Sequence, residues 1–497
     1  YSARYGARVP RDAAFATTMG AYLDTVLPVY GEQFADWWRD RLRPEMERNF
    51  VYLEARLDEE SGMSLGELAC LLEDAIDIHD RHWKIHWMLN FAQLSATLDL
   101  RAVMEKTRGA VDEALLGRLQ NSASDRNWDS IEALWKMKNE VRDDEALRQA
   151  FAADGAAGIL DALGATERGR RFTHERIEPY QREFGWHAVW SHEFIFPTVR
   201  EQRGPVVELV RGYLDTDYDY PSAMEAMRLD IEAASNEILD GLDGEALEAM
   251  RAANAVNLRM APLTPDHHFY IDQGANAHLR LVLMAIGRKL VELGRLDQPD
   301  DVMFLRYNEL RALIGDAAAL DARGIVAAQR AKRAAAERLR PRDWIGTVTP
   351  AQLAFPYLVN WGYPDRFYQQ QSADEATVTG LGASPGVVEG IARVVRTVEE
   401  FDEVRDGDIL VCQMTNPAWV VLFTKIAGLV TDTGGTTSHP AVLAREFGIP
   451  AVIGTSVATQ RIVTGDRLKV DGSTGLVQII REDPAAAAVR PATPIGV

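Results

Sequence analysis

The stretch TDTGGTTSHPAVLAREFGIPAVIG, Thr431 to Gly454, decides how the C-terminal part of this chain folds. A glycine pair and three hydroxyl residues run straight into a helical pattern, as phosphate-binding loops do. A P-loop would place Lys next; here the position belongs to His439. Pro440 suits the first turn of a helix, where its missing N–H costs nothing. AVLAREF supplies helix formers, Gly448 a C-terminal cap and Pro450 a stop. His439 is therefore predicted at the N-terminal end of a short helix, where unpaired N–H groups and the helix dipole favour an anion. Gly434 and Gly435 allow close backbone approach, and Thr436, Thr437 and Ser438 offer hydroxyl donors. Spacing alone leaves two readings open. The imidazole is a covalent nucleophile whose phosphoryl group those donors hold, or it caps a helix beside an ordinary glycine turn.

The same segment closely resembles the phosphohistidine segment of the swivelling domain in phosphoenolpyruvate synthase, pyruvate phosphate dikinase and rifampin phosphotransferase. GLGASPGVVEGIARVV (Gly380 to Val395) looks like the opening strand-turn-strand of that domain. GDILVCQMTNPAW (Gly407 to Trp419) is similar to the next strand and loop, and GDRLKVDGSTGLVQI (Gly465 to Ile479) to the closing hairpin. The resemblance implies that His439 carries the phosphoryl group and that Gly434 to Ser438 bind it. Gly380, Gly382 and Gly386 do not form a dinucleotide-binding loop, because the alternating VVEGIARVV after them is a strand pattern rather than the required helix.

Outward from this segment the texture changes. Upstream, long stretches rich in Ala, Leu, Glu and Arg show the three-to-four spacing of helices; from Val378 short Val/Ile strands alternate with Gly and Asp turns. The expected fold is multidomain α + α/β. It places a large all-helical substrate-binding domain at 1–345, a linker and hinge at 346–377 and a small swivelling β/β/α phosphohistidine domain at 378–483. A loose tail occupies 484–497. Within the linker the polar Gln369 to Thr377 is the expected hinge.

Among 497 residues, 47% are hydrophobic and 26% charged, which is ordinary globular composition. The net charge, 54 − 74 = −20, argues against a nucleic-acid groove or an anionic membrane surface. No apolar run has the length of a membrane span. Cys70 and Cys412 are the only cysteines and lack metal spacing, which fits a reducing cytoplasm. The chain opens on Tyr1 rather than Met, so the numbering is expected to start inside a longer sequence.

FGWHAVWSHEFIFPTVREQ (Phe184 to Gln202) and the run from Pro265 through DDVMFLRYNEL (Asp300 to Leu310) resemble the helical substrate domain of rifampin phosphotransferase-like enzymes. That family orders an ATP-grasp domain, a helical domain and the swivelling domain; this chain is expected to hold the last two. The resemblance then implies a split enzyme such as phenylphosphate synthase, with ATP and Mg²⁺ reaching His439 through a separate ATP-grasp subunit. The expected acceptor is a small-molecule alcohol or phenol. A phosphocarrier or regulatory protein, and a lyase or dehydratase that retains the architecture, are the alternatives.

Two clusters in the helical part carry candidate chemistry. PDHHFYIDQGANAHLR (Pro265 to Arg280) packs His267, His268 and Asp272 just ahead of a helix bearing Arg280 and Arg288. A base for a hydroxyl proton and cations for a phosphoryl group are what transfer would ask for; the plain alternative is a polar helix start capped by Asp266. His187 and His192 flank Trp190, as pocket lining for a hydrophobic alcohol or as core. His79, His82 and His86 share one helical face with Leu68, Leu72 and Ala75. Core, pocket lining and metal ligation all stay open for them; no metal site is assigned.

Overall fold

The computed structural model describes residues 33–336 and 374–480, with 339 and 349, apart from 60–61, 189–192, 215, 317–319, 397, 416–418, 424 and 435–438. Helices fill the first span and a mixed sheet with short helices fills 377–480, the order expected from the change in texture at Val378. Of the expected hinge, 369–373 lie outside the described residues, as does the tail. Asp374 leads into the sheet by accepting the hydroxyl of Thr377 at 3.0 Å. None of the described helices is long and apolar enough to cross a membrane.

The chain divides into two compact units. The first takes residues up to Asn49, Asp80–Arg126 and Met224–Ile271. Leu100, Met104, Leu115, Leu116 and Leu119 pack there on Ala234, Ile238 and Met250. Arg118 fixes two of these helices by a forked bond to Asp230 at 2.7 and 2.9 Å, and Asn257 donates to the Leu119 carbonyl at 2.8 Å.

The second unit takes Phe50–His79, Asn127–Ala223 and the chain from Asp272 onward. Leu68, Leu71, Leu72 and Ala75, spaced as one helical stripe, pack against Val282, Ile286 and Leu290 of the helix Asn276–Glu292. The sheet belongs to this unit. Its strands are β1 (Thr377–Thr379), β2 (Leu381–Ser384), β3 (Val387–Val394), β4 (Ile409–Cys412), β5 (Gly428–Thr431), β6 (Ala451–Ile453), β7 (Arg467–Asp471) and β8 (Leu476–Ile480).

The spatial order is β1-β8-β7-β3-β4-β5-β6-β2. Strands β3 to β6 run parallel, and β1, β2, β7 and β8 pair antiparallel at the flanks. ILVC, GLVT and AVI are wholly buried, as expected for central parallel strands covered on both faces. In β7 burial alternates, which is the period-two mark of a strand with one wet face. Val394, Val411, Val430, Val452, Leu468 and Val477 form a core of the sheet's own.

Candidate functional site

The quoted segment forms at the carboxyl end of β5. Beyond the strand's last residue, Asp432 and Thr433 still donate backbone N–H bonds to Cys412 and Gln413 at 3.1 and 2.9 Å, so β4 steers the exit. Gly434 then takes φ +126°, a left-handed conformation that a side chain would resist. Gly435, Thr436, Thr437 and Ser438 lie outside the described residues. His439 is the first residue of the helix His439–Glu446, as the sequence predicts. The far end is closed by Gly448 at φ +64°, with Ile449 donating to the Ala444 carbonyl at 2.8 Å, the six-to-one bond of a Schellman cap.

At the carboxyl end of β5 lies a polar floor that the sequence reading missed. The buried Asp432 carboxylate accepts the Thr455 hydroxyl at 3.2 Å and the Thr459 N–H at 3.1 Å, and also takes the Thr459 hydroxyl. Its carbonyl accepts Ser456 N–H at 2.9 Å, and Ser456 sits at φ +64°. The hydroxyl of Thr431 bonds the Thr433 carbonyl at 2.7 Å. These bonds lock the carboxyl ends of β5 and β6 together. Asp and Thr at those positions were the available signal; their partners sit more than twenty residues downstream. Burial, reinforced by the Asp432 charge, pushes the nearby Cys412 thiol far up, so it stays protonated.

In the second unit an aromatic and charged cluster surrounds the buried His278. Its ring stacks flat on Phe50 with centroids 4.1 Å apart and lies 4.2 Å from Trp186. Its Nδ1 is 2.7 Å from the Gly274 carbonyl and its Nε2 3.2 Å from Glu54 Oε1. Burial pushes the His278 pKa down, against the opposing pull of Glu54. Burial would raise the Glu54 pKa, yet His278 and Arg200 hold it below the usual range. Arg200 also lies over Trp186 at 4.9 Å.

Arg280 is buried and forks onto Glu201 at 2.8 and 2.9 Å while donating to the Phe194 carbonyl. Its guanidinium thus braces the segment that contains FIFPTVRE. Arg288, two turns along the same helix, is exposed. His187 is buried, and burial alone lowers its pKa to about 4, so it is a neutral imidazole at pH 7. His192 and Trp190 lie outside the described residues. His79 reaches Asn276 at 2.9 Å.

In the first unit the rings of His86 and His267 lie 4.9 Å apart, and those of His267 and His268 4.1 Å apart. His267 and His86 are buried, and His268 is half-buried. Tyr270 donates to Glu47 at 2.8 Å, and Arg43 both pairs with Glu47 and lies over the Tyr270 ring. His82 turns instead to Asn49 at 3.2 Å. The three histidines of the stripe therefore have three different neighbours.

PDHHFYIDQ is not a polar lead-in to a helix. It is helical throughout, passing from Leu263–His267 through a π-helical stretch, His268–Ala275, into Asn276–Glu292. Asp266 caps nothing of its own helix; its carboxylate accepts the N–H of Arg126 at 2.9 Å. Burial raises its pKa. Asp272 is also buried, with its carbonyl accepting from Asn276 at 2.7 Å. A wide π turn shifts side chains off the ordinary helical stripe, and such turns recur at functional sites.

Residues 404–475 match the family model described as the mobile domain of PEP-utilising enzymes. Residues 85–260 match the model described as the rifampicin phosphotransferase fourth domain. An uncharacterised phosphotransferase, YvkC of Bacillus subtilis, is 28% identical over 80% of this chain and 47% of that protein. A rifampicin phosphotransferase of Streptomyces sviceus is 35% identical over 65% of this chain and 36% of that protein. A probable phosphoenolpyruvate synthase of Pyrococcus abyssi is 50% identical over 103 residues, 21% of this chain and 13% of that protein. The GGTTSH segment and Phe184 to Gln202, both read as carrying the resemblance, fall inside the two family-model matches, whereas the run from Pro265 to Leu310 lies outside them. The chain spans about half the length of YvkC and less of the other two relatives.

Proposed function

We infer from this kinship with PEP-utilising and rifampicin phosphotransferase enzymes that the chain is a phosphotransferase component working through His439. The phosphoryl group comes from an ATP-grasp unit outside these 497 residues, where ATP and Mg²⁺ are expected to bind. An imidazole nitrogen of His439 attacks the phosphorus; a P–N bond forms, and a P–O bond of the nucleotide breaks, its electron pair leaving with the nucleotide. A hydroxyl oxygen of the acceptor then attacks the same phosphorus. The P–N bond breaks back to the imidazole, and the hydroxyl proton passes to a base. His187, which burial keeps neutral, and the buried His267 are the candidate bases in the helical part. Such chemistry asks for positioning and charge neutralisation more than covalent machinery on the acceptor side.

The observation that carries this reading is the position of His439 as first residue of its helix, eight residues beyond Thr431, the last residue of β5. Backbone N–H groups at a helix start suit a phosphoryl oxygen. Helices dense in Trp, Phe and His favour an aromatic or apolar alcohol as acceptor.

The test uses potassium phosphoramidate, a small donor that needs no protein partner. The full chain should gain an acid-labile, alkali-stable phosphate, seen by ³¹P NMR and mapped by mass spectrometry to the peptide containing His439. Phenols and aliphatic alcohols added afterwards should discharge it into phosphate monoesters. Equal labelling of His439→Ala, or no labelling of the wild type, would overturn the assignment.

A further inference from the structure

Phe447 follows the helix His439–Glu446 directly and stays in its last turn, its N–H bonding the Leu443 carbonyl at 2.8 Å. Its half-buried ring does not face the sheet's core. It lies 6.0 Å from Trp128 and 6.0 Å from Tyr218, at interplanar angles of 33° and 30°. Both partners belong to the helical part. Phe423 backs the ring at 5.8 Å, in the short helix Val420–Phe423, which packs on the helix Gly204–Leu214. Tyr220 and Tyr213 in turn support the two receiving rings, at 6.4 Å from Trp128 and 5.7 Å from Tyr218. Tilted rings at these separations attract one another beyond their area burial.

We propose that Phe447 is a docking catch, the wedge by which the phosphohistidine domain seats reversibly between Trp128 and Tyr218 of the helical part. The proposal rests on the reading of His439 as a mobile phosphoryl carrier and adds the surface on which that carrier lands. Three features fit a contact made and broken. The sheet has a core of its own. Phe447 is only half-buried when seated. The seat also meets the distal end of the His439 helix, about 12 Å along its axis from His439 at 1.5 Å per residue. Seating that end fixes the helix axis while leaving its N-terminus open to a ligand. Interfaces of this modest kind between domains permit relative motion.

Distances between spin labels on the full chain test this. Cysteines replace the exposed Asp161 of the helical part and the exposed Lys469 of β7, in a Cys70→Ser background. The wild type should show a dominant narrow distance, the seated state. Phe447→Ala should cut that population at least threefold in favour of a broad, longer one. Tyr218→Ala, a change on the opposite side of the contact, should do the same, with circular dichroism confirming that both variants are folded. An unchanged narrow distance in both variants would overturn the catch, as would a wild-type distribution already broad and insensitive to either change. Phosphoramidate labelling of the same samples separates the two claims: loss of labelling in the wild type defeats the carrier reading, whereas unchanged distances with normal labelling defeat the catch alone.

Discussion

Asp432 and Thr459 are bound twice over, the carboxylate taking both the backbone N–H and the hydroxyl of the threonine. Thr459 is the second residue of a short turn of helix, Ala458–Arg461, whose first N–H groups have no partner within the helix. The carboxylate supplies one from the end of β5. Removing it with Asp432→Ala strands the N–H and hydroxyl of Thr459, while the Thr455 hydroxyl keeps the Thr431 carbonyl at 3.1 Å, at a cost of about 1–3 kcal/mol. Amide exchange across residues 455–462 should accelerate by about ten- to a hundredfold, since each 1.4 kcal/mol is about a factor of ten. Thr459→Val keeps the N–H bond and should cost about 1 kcal/mol. Exchange unaltered by Asp432→Ala would show that this floor does not hold the turn.

Gly448 gives a purely conformational prediction. A methyl group built on it meets nothing within 4 Å, so the penalty of Gly448→Ala comes from φ +64° alone. About 1–2 kcal/mol is expected for an L-residue in that region. Because the Schellman bond aligns Phe447, the variant should fray the last helical turn and raise exchange at Phe447 to Ile449. Gly448→Asn should fall between glycine and alanine, since Asn tolerates the left-handed conformation. Equal stability of all three would mean that the cap is dispensable.

The sheet domain was readable from sequence because its determinants are local. Continuous apolar runs mark β4, β5 and β6, alternation marks the flanks, and Pro440 and Gly448 bracket one helix. The Asp432 floor was not readable, since its partners come from another loop and only the strand pairing brings them together. The helical part was harder. PDHHFYIDQG carries Pro, two Asp and Gly, residues of low helix propensity, yet tertiary packing buries it in helical form. Arg280 looked like a phosphoryl-neutralising cation, and nothing local announced that Glu201, seventy-nine residues upstream, would face it.

His187 makes stability depend on pH in a definite direction. Burial lowers its pKa from 6.5 to about 4, so the folded state resists the proton that the unfolded chain accepts. Above pH 6.5 the residue is neutral in both states and contributes no slope. As pH falls from 6.5 towards 4 the unfolded state gains the proton first, and stability drops progressively by up to about 3 kcal/mol. Urea unfolding at pH 7.5 and pH 5 should therefore differ less in His187→Gln than in the wild type. An identical difference in both would place the imidazole in solvent contact.

Buried Arg280 and half-buried Glu201 form an ion pair whose role a double-mutant cycle can decide. Glu201 also accepts the N–H and hydroxyl of Thr198 at 2.9 and 3.0 Å, so one carboxylate ties the helix Asn276–Glu292 to the Thr198 turn. Burial would raise the Glu201 pKa, but Arg280 and Thr198 hold it below the ordinary value. Arg280→Met leaves that half-buried carboxylate without its cation, a change that costs about 1–3 kcal/mol. Glu201→Gln added to it removes the uncompensated charge while keeping an oxygen for Thr198, and should recover at least half of the loss. Such recovery, measured by urea unfolding at pH 7.5, identifies Arg280 as a brace. If the double variant stayed as unstable as Arg280→Met alone, the guanidinium would be serving something other than Glu201. The phosphoryl-neutralising role would then return to it.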